Sequence, residues 1–363
     1  MSKIVEPKEN IIYSKNLYLQ RLKDCNELKD LFIETITSII APKYDEINRC
    51  FAERLVEIDL KGYDEYGYFT LGKEIWTIFK RDDNSLVGFE VITRKRGGSI
   101  KLGPTYIKPE HRGNRFSKEV IETLCNEYVS YGARKVYVTA PLEHIPTAIL
   151  DFEHLKFKLE AVLNSHYSET SSERVCGKVI KESFEEEAPV LRISIGKEKV
   201  ENIQYNFSSI SFGKLKDFIF EYMSINFGDI DDVFVRSIWN NVATENIKKE
   251  YEKKEKDIFL SEKNSKINAL VVACSKRGGN YKISPFLIAN DFLNEENIQM
   301  LVENIEERAW KIKRRKITFF IPIDEVIISN VLSRRNYYSE GILREPYKMN
   351  KDFIVFSKFG GNH

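Results

Sequence analysis

The chain has 363 residues, too many for one ordinary domain and suited to two of roughly 180. Hydrophobic residues make up 42% and charged residues 31%, a soluble globular balance, and 56 basic against 55 acidic residues leave no bulk field to select nucleic acid or an acidic membrane. Five cysteines with no C-x-x-C pair argue against a disulfide framework or a zinc site, and for a reducing, cytoplasmic setting.

Residues 27–39 are apolar at helical spacing and predict an opening helix. Trp76 to Phe79 and Leu86 to Ile92 predict strands, joined by a turn at Asp82-Asp83-Asn84-Ser85. Gly97-Gly98 turns the second strand into a third, Ser99 to Ile107. A loop with Pro109 and Gly113 leads to a helix from about Ser117. Its apolar face is Val120, Ile121, Leu124, Cys125, Tyr128 and Val129, and Gly132 supplies its stop. Lys135 to Val138 is the next strand and Ala148 to His154 a short helix. Leu159 to Tyr167 and Val175 to Val179 close the sheet. The order β-β-β-α-β-α-β-β predicts an α/β chain of the α+β kind, a mixed sheet with helices packed on it. The polar stretch Lys181 to Ala188 reads as a boundary.

Beyond that boundary the chain repeats itself. Lys95-Arg96-Gly97-Gly98-x-x-Lys101-x-x-Pro104-x-x-Ile107 recurs as Lys276-Arg277-Gly278-Gly279-x-x-Lys282-x-x-Pro285-x-x-Ile288, an offset of 181. The same offset carries Leu86 to Ile267, Val91 to Val272, Val136 to Ile317, Pro141 to Pro322 and Phe157 to Tyr338. Nearer the front, Leu28-Lys29-Asp30 matches Leu215-Lys216-Asp217 at an offset of 187, the difference of a loop. Residues 214–227 therefore open a second unit, with Leu301, Val302, Ile305, Ala309 and Trp310 as the equivalent helix face. The expected domains are 1–182 and 190–363.

Gly103-Pro104-Thr105-Tyr106-Ile107-Lys108-Pro109-Glu110-His111-Arg112-Gly113-Asn114-Arg115-Phe116-Ser117 resembles the acyl-CoA loop of the GNAT acyltransferase superfamily. Ala148-Ile149-Leu150-Asp151-Phe152-Glu153-His154-Leu155-Lys156-Phe157 resembles a later segment of the same family. The likeness covers residues 75–167 well and the first 70 loosely. It implies two tandem GNAT-like domains and acetyl-CoA, or another acyl-CoA, as cosubstrate with no metal. It places Tyr106, Ile107, Lys108, Arg112, Gly113, Asn114, Arg115, Phe116, Ser117 and Phe152 around the cofactor. The chemistry suits such a loop, because free N–H groups and the dipole at a helix N-terminus bind a pyrophosphate. The strand edge at Tyr106 to Lys108 can pair with the pantetheine amides as another strand would.

Two positions depart from the family. Arg115 stands where the loop has a glycine, and either salt-bridges the phosphates or blocks them. Phe152 stands where the family has a tyrosine that protonates the leaving thiolate. For the general base the candidates are Glu90, Glu143 and His144, with Tyr167 near the closing hairpin. The competing readings are an ordinary solvent-face charge for Glu90 and a loop residue for His144. Tyr13, Tyr18, Tyr63, Tyr66 and Tyr68 are candidates to line a substrate cleft.

The second unit has no Arg-Gly-x-Gly string. Asp291, Glu295 and Glu296 would repel a pyrophosphate, and Asn294 suits a helix cap. This unit reads as degenerate. The basic cluster Lys311 to Lys316 reads as a solvated helix end in preference to an RNA contact, and Lys248 to Lys256, interleaved with glutamates, as an exposed helix. The expected activity is an acyl-CoA-dependent N-acyltransferase, acetyl in the first instance, on a small amine acceptor. The alternatives are a transferase taking its acyl group from aminoacyl-tRNA, which the near-zero net charge disfavours, and a non-catalytic CoA-binding pseudoenzyme. No membrane association is expected: the apolar stretch 317–332 contains Asp324 and Glu325 and is too short to span a bilayer. The oligomeric state is not legible.

Overall fold

A computed structural model describes residues 10–43, 47–64, 68–142, 154–166, 168–180, 196–200, 203–205, 210–239 and 256–360. The chain divides into two compact units. The first is Met1–Glu160 with Ser171–Glu182, and the second is Ala161–Thr170 with Ser183–His363. Among the described residues no helix is long and apolar enough to cross a membrane, and no cluster of three or more His, Cys, Asp or Glu is placed to hold a metal.

The first unit opens with a hairpin, β1 (Ile11–Tyr13) and β2 (Leu17–Arg21). The alternation in Leu17-Tyr18-Leu19-Gln20-Arg21 buries Leu17, Leu19 and Arg21. Helices α1 (Lys29–Thr35) and α2 (Arg49–Lys61) follow. Asn48 caps α2 by accepting from the Phe51 N–H at 3.0 Å, and Gly62 ends it at φ 75°. Neither the hairpin nor α2 was expected from the sequence pattern. Next come β3 (Thr70–Lys80), β4 (Leu86–Lys95), β5 (Ser99–Ile107), α3 (Phe116–Ser130), β6 (Lys135–Pro141), the first half of β7 (Lys158–Leu163) and β8 (Glu173–Val179). The predicted helix Ala148 to His154 lies outside the described residues except for His154. The strand predicted over Leu159 to Tyr167 ends earlier, at Leu163, and Tyr167 lies outside the described residues.

The sheet of this unit runs β1-β2-β3-β4-β5-β6-β8, antiparallel except for the β5/β6 pair. The face carrying Trp76, Ile92, Ile100, Leu102 and Val136 packs on Val120, Leu124 and Tyr128 of α3. The opposite face, with Ile75, Phe89 and Val91, packs on α1 and α2. Several charged groups are buried between these layers as partners of one another. Arg21 meets Asp59 at 2.7 Å, Arg94 meets Glu74 at 2.9 Å, and the Tyr128 hydroxyl donates to Glu74. Glu119 in the first turn of α3 holds the β1–β2 turn, accepting from Ser14 Oγ and the Asn16 N–H, each at 2.6 Å.

The second unit contains β9 (Gln204–Tyr205), α4 (Phe212–Met223), α5 (Asp232–Trp239), β10 (Lys256–Lys263), β11 (Lys266–Ser275), β12 (Asn280–Ile288), α6 (Glu295–Lys311), β13 (Lys316–Pro322), α7 (Val326–Arg334), β14 (Tyr338–Leu343) and β15 (Phe353–Phe359). Its sheet runs β14-β15-β13-β12-β11-β10-β9, with β12/β13 the parallel pair. Ala161 of the segment Ala161–Thr170 pairs with Gly341 of β14. Both β12 and β13 begin and end 181 residues after β5 and β6.

Local joints recur at the same spacing, to within one residue. Arg134 Nε donates to the Gly97 carbonyl at 3.0 Å, and Arg315 Nε to the Gly278 carbonyl at 3.0 Å. Lys135 pairs with Glu160 at 2.6 Å, and Lys316 with Glu340 at 2.8 Å, all four side chains nearly sealed from solvent. These joints correct the expectation for the basic cluster. Its last two members are not solvated, because Arg315 clamps the Gly278 turn and Lys316 is buried on β13. Of the stretch Lys248 to Lys256 only Lys256 is described; it opens β10 and is buried, its Nζ donating to the Ser237 carbonyl at 2.7 Å.

Candidate functional site

The site is made where two parallel strands separate. In the β5/β6 pair the register runs from Ser99–Lys135 to Leu102–Val138 and stops. Beyond it, Thr105, Tyr106 and Ile107 pair only with Glu90, Phe89 and Gly88 of β4, while Thr139 to Pro141 pair with β8. The parting coincides with a bulge. Glu90 opposes Thr105 and Ile92 opposes Leu102, so β5 holds one residue more than β4 across Gly103-Pro104. The result is a half-exposed strand edge, Gly103 to Ile107, opposite half-exposed Thr139 to Pro141. Gly88 lets β4 approach this edge, since a Cβ there would stand 1.9 Å from the Tyr106 carbonyl oxygen.

The edge runs into the loop singled out in the sequence. The Lys108 N–H donates to the Val87 carbonyl at 2.9 Å, and Pro109 to His111 form one tight turn. Arg112 Nε donates back to the Ile107 carbonyl at 3.1 Å, so this arginine braces the end of β5. Asn114 Nδ2 donates to the His111 carbonyl at 3.2 Å. Arg112, Gly113, Asn114 and Arg115 are exposed, Ser117 is half-buried, and Phe116 lies in the core against α3's own apolar face. Phe116 therefore offers a ligand its N–H and not its ring.

Arg115 is the residue that breaks the glycine pattern, yet it sits at φ 59°, ψ 21°, the left-handed conformation a glycine would take. Gly113 lies at φ 84°. The turn is thus kept without its glycine, and α3 begins with no side-chain cap. Its first-turn N–H groups point outward with the positive end of the dipole. Holding an arginine here costs about 1–2 kcal/mol, while a glycine costs about 0.5–1 kcal/mol in chain entropy. Arg115→Gly is expected to leave thermal stability unchanged or to raise it by up to about 1.5 kcal/mol. A larger loss would mean that the arginine side chain fixes the turn.

Glu90 is not a solvent-face charge. It is fully buried on β4, beside the bulge. Burial pushes its pKa up to about 7, against smaller opposing effects of the Thr105 side chain and the Gly103 N–H. Neither carboxyl oxygen makes a full hydrogen bond. Cys125 on α3 is close enough to feel its charge, but burial drives that thiol up to about 12, which leaves it inert near neutral pH. A second buried carboxylate, Glu173, stands opposite Pro141 in the β6/β8 register, and sequence reasoning missed it. Its signal is the first of two charges, Glu173 and Arg174, at the start of a strand that continues Val175-Cys176. Glu143, His144 and Phe152 lie outside the described residues, as does Tyr66. Tyr68 is buried. Tyr13 is exposed and tilts against Tyr18, which stacks on Phe79 at 5.0 Å.

The equivalent place in the second unit is built differently. Asn294 caps α6, accepting from the Asn297 N–H at 3.0 Å. Glu295 and Glu296 fill the first turn, and Glu295 pairs with Arg334. The β12 residues Ser284 to Ile288 are buried, unlike Gly103 to Ile107.

No family model matches the chain, and no curated protein matches it. Among solved structures, a GNAT-family acetyltransferase from Bacillus anthracis matches 47% of this chain and 98% of its own, at 14% identity and a TM-score of 0.36. A probable GNAT-family acetyltransferase from Chromobacterium violaceum matches 47% of this chain and 86% of its own, at 15% identity and a TM-score of 0.37. A putative ribosomal-protein-serine acetyltransferase from Vibrio cholerae matches 48% of this chain and 100% of its own, at 15% identity and a TM-score of 0.36.

Proposed function

We propose that the chain holds two repeats of one acyltransferase fold, 1–182 and 190–363. In this reading the first is an acyl-CoA-dependent N-acyltransferase, with acetyl-CoA as donor and a small amine as acceptor. The observation that carries it is the parted β5/β6 edge leading through a left-handed turn to the uncapped start of α3. The N–H groups of Gly113 to Ser117 would hold the pyrophosphate, and the free edge of Tyr106 and Ile107 the pantetheine amides. Lys108 and Arg115 add positive charge at the mouth.

The amine nitrogen attacks the thioester carbonyl carbon, a C–N bond forms, and the C–S bond breaks with its electron pair leaving on sulfur. The amine proton passes to Glu90, whose pKa near 7 suits a base at neutral pH. The thiolate leaves without help from residue 152, a phenylalanine; it is a tolerable leaving group near neutral pH. Arg115 holds the left-handed turn that a glycine would take, which supports an open loop here. Asn294, Glu295 and Glu296 leave the second unit no comparable anion site.

Thermal unfolding of the full chain with and without acetyl-CoA tests this. At 100 times its dissociation constant the ligand should stabilise by roughly 2.7 kcal/mol. Ser117→Glu should leave the apo protein as stable or more so, by about 0.3–1 kcal/mol, because an acid favours a helix start. The same charge should abolish the acetyl-CoA shift by repelling the pyrophosphate. A shift that survives Ser117→Glu would remove the start of α3 from the site, and no shift at all would sink the acyl-CoA reading.

A further inference from the structure

Strands β12 and β13 also part, after Ile283 and Phe319. What lies beyond differs from the first unit. Phe286 and Phe320 stand where an offset of 181 would put Thr105 and Thr139, and both are buried. The space they leave is a small hollow bounded by Tyr222, Asn226, Phe227, Phe286, Phe320 and Glu325 among others, with room for about one water-sized group.

Two of these residues are polar and sealed from solvent. Asn226 is 5% exposed, and its Oδ1 has no hydrogen-bond partner. Glu325 is 4% exposed. A buried acceptor without a donor is costly, and this amide oxygen borders the same hollow as the Glu325 side chain. The other walls named are aromatic rings, whose faces are negative and attract cations. The chain itself supplies one such contact, with Lys282 Nζ 4.0 Å from the centroid of Phe320.

We propose that this hollow of the second unit binds the ammonium group of a small primary amine. Asn226 Oδ1 and the Glu325 carboxylate accept its N–H hydrogens, and the rings flank its charge. An anion would meet the Glu325 carboxylate, and an alcohol offers one hydrogen and no charge for the rings. Only the head group fits, so the alkyl part stays outside. This site needs no acyl-CoA and stands or falls apart from the acyl-transfer reading.

Calorimetric titration of the full chain with n-butylammonium, and with n-butanol as its neutral match, tests the proposal. Millimolar binding of the ammonium and none of the alcohol are expected. Glu325→Gln should weaken binding about tenfold or more, and Asn226→Asp should tighten it. Should Glu325→Gln fail to fold, Asn226→Asp alone decides. Equal heats from butanol, binding unchanged in both variants, or no binding would overturn the site and leave an ordered water as the occupant. The acetyl-CoA shift, measured on the same variants, should not move.

Discussion

With Glu90 as the proposed base, Glu90→Gln should lower the rate of acetyl transfer by about 10²- to 10⁴-fold, the usual worth of a positioned base, while acetyl-CoA still binds. The wild-type rate should rise with pH through about 7, as the carboxyl ionises, and the variant should lose that limb. Stability should move the other way. Burial lifts the carboxyl from an ordinary 4.5 to about 7, so the folded state prefers the protonated form. That preference is fully present below about pH 4.5 and is lost as pH rises through 7. Wild type should therefore give up as much as about 3 kcal/mol between these limits. The glutamine has no charge to bury. At pH 8 the inactive variant should be the more stable protein in urea. A variant that keeps the limb near 7 would show that another group takes the proton.

Lys316→Met should cost the second unit about 3–5 kcal/mol, because it strands a charge. Lys316 Nζ donates to both oxygens of Glu340 and to the Asn164 carbonyl, each at 2.8 Å. Glu340 also accepts from the Asn164 N–H and from Ser357 Oγ, each at 2.8 Å. Removing the lysine leaves a carboxylate with two neutral donors and no cation in a site sealed from water. Glu340→Leu should be as harmful for the opposite reason. The pair Lys316→Met with Glu340→Leu should recover most of the loss, since a buried ion pair is worth little over well-packed apolar groups. Urea unfolding of the four proteins, taken as a double-mutant cycle, measures the coupling. Single variants that each lose less than about 1 kcal/mol would mean that water reaches the pair.

Strand β5 and helix α3 were legible because their signals are local. Glycine and proline mark the ends, and Val120, Ile121, Leu124 and Tyr128 repeat at the helical period. Val129, read onto the same face, is only half-buried. Helix α2 was not legible, because Arg54 and Asp59 are buried, Arg54 near Asp64 and Asp59 on the distant Arg21, and buried charges read as surface. The same blindness hid Lys316. It also left Glu90 undecided: its one sequence clue is that it is the only charge in Leu86 to Ile92, and burial, not spacing, is what marks it as the proposed base. The short β1–β2 hairpin offers too few residues for a period to show. Of the catalytic candidates only Glu90 falls among the described residues.

The left-handed turn at Arg115 has a consequence for finding kin. A loop fixed by a backbone angle can persist while its characteristic letter is replaced, so a pattern that demands glycine passes over such a chain. Relatives of this protein should share a positive-φ residue just before the helix, with the strand bulge twelve residues upstream, whichever letter stands there.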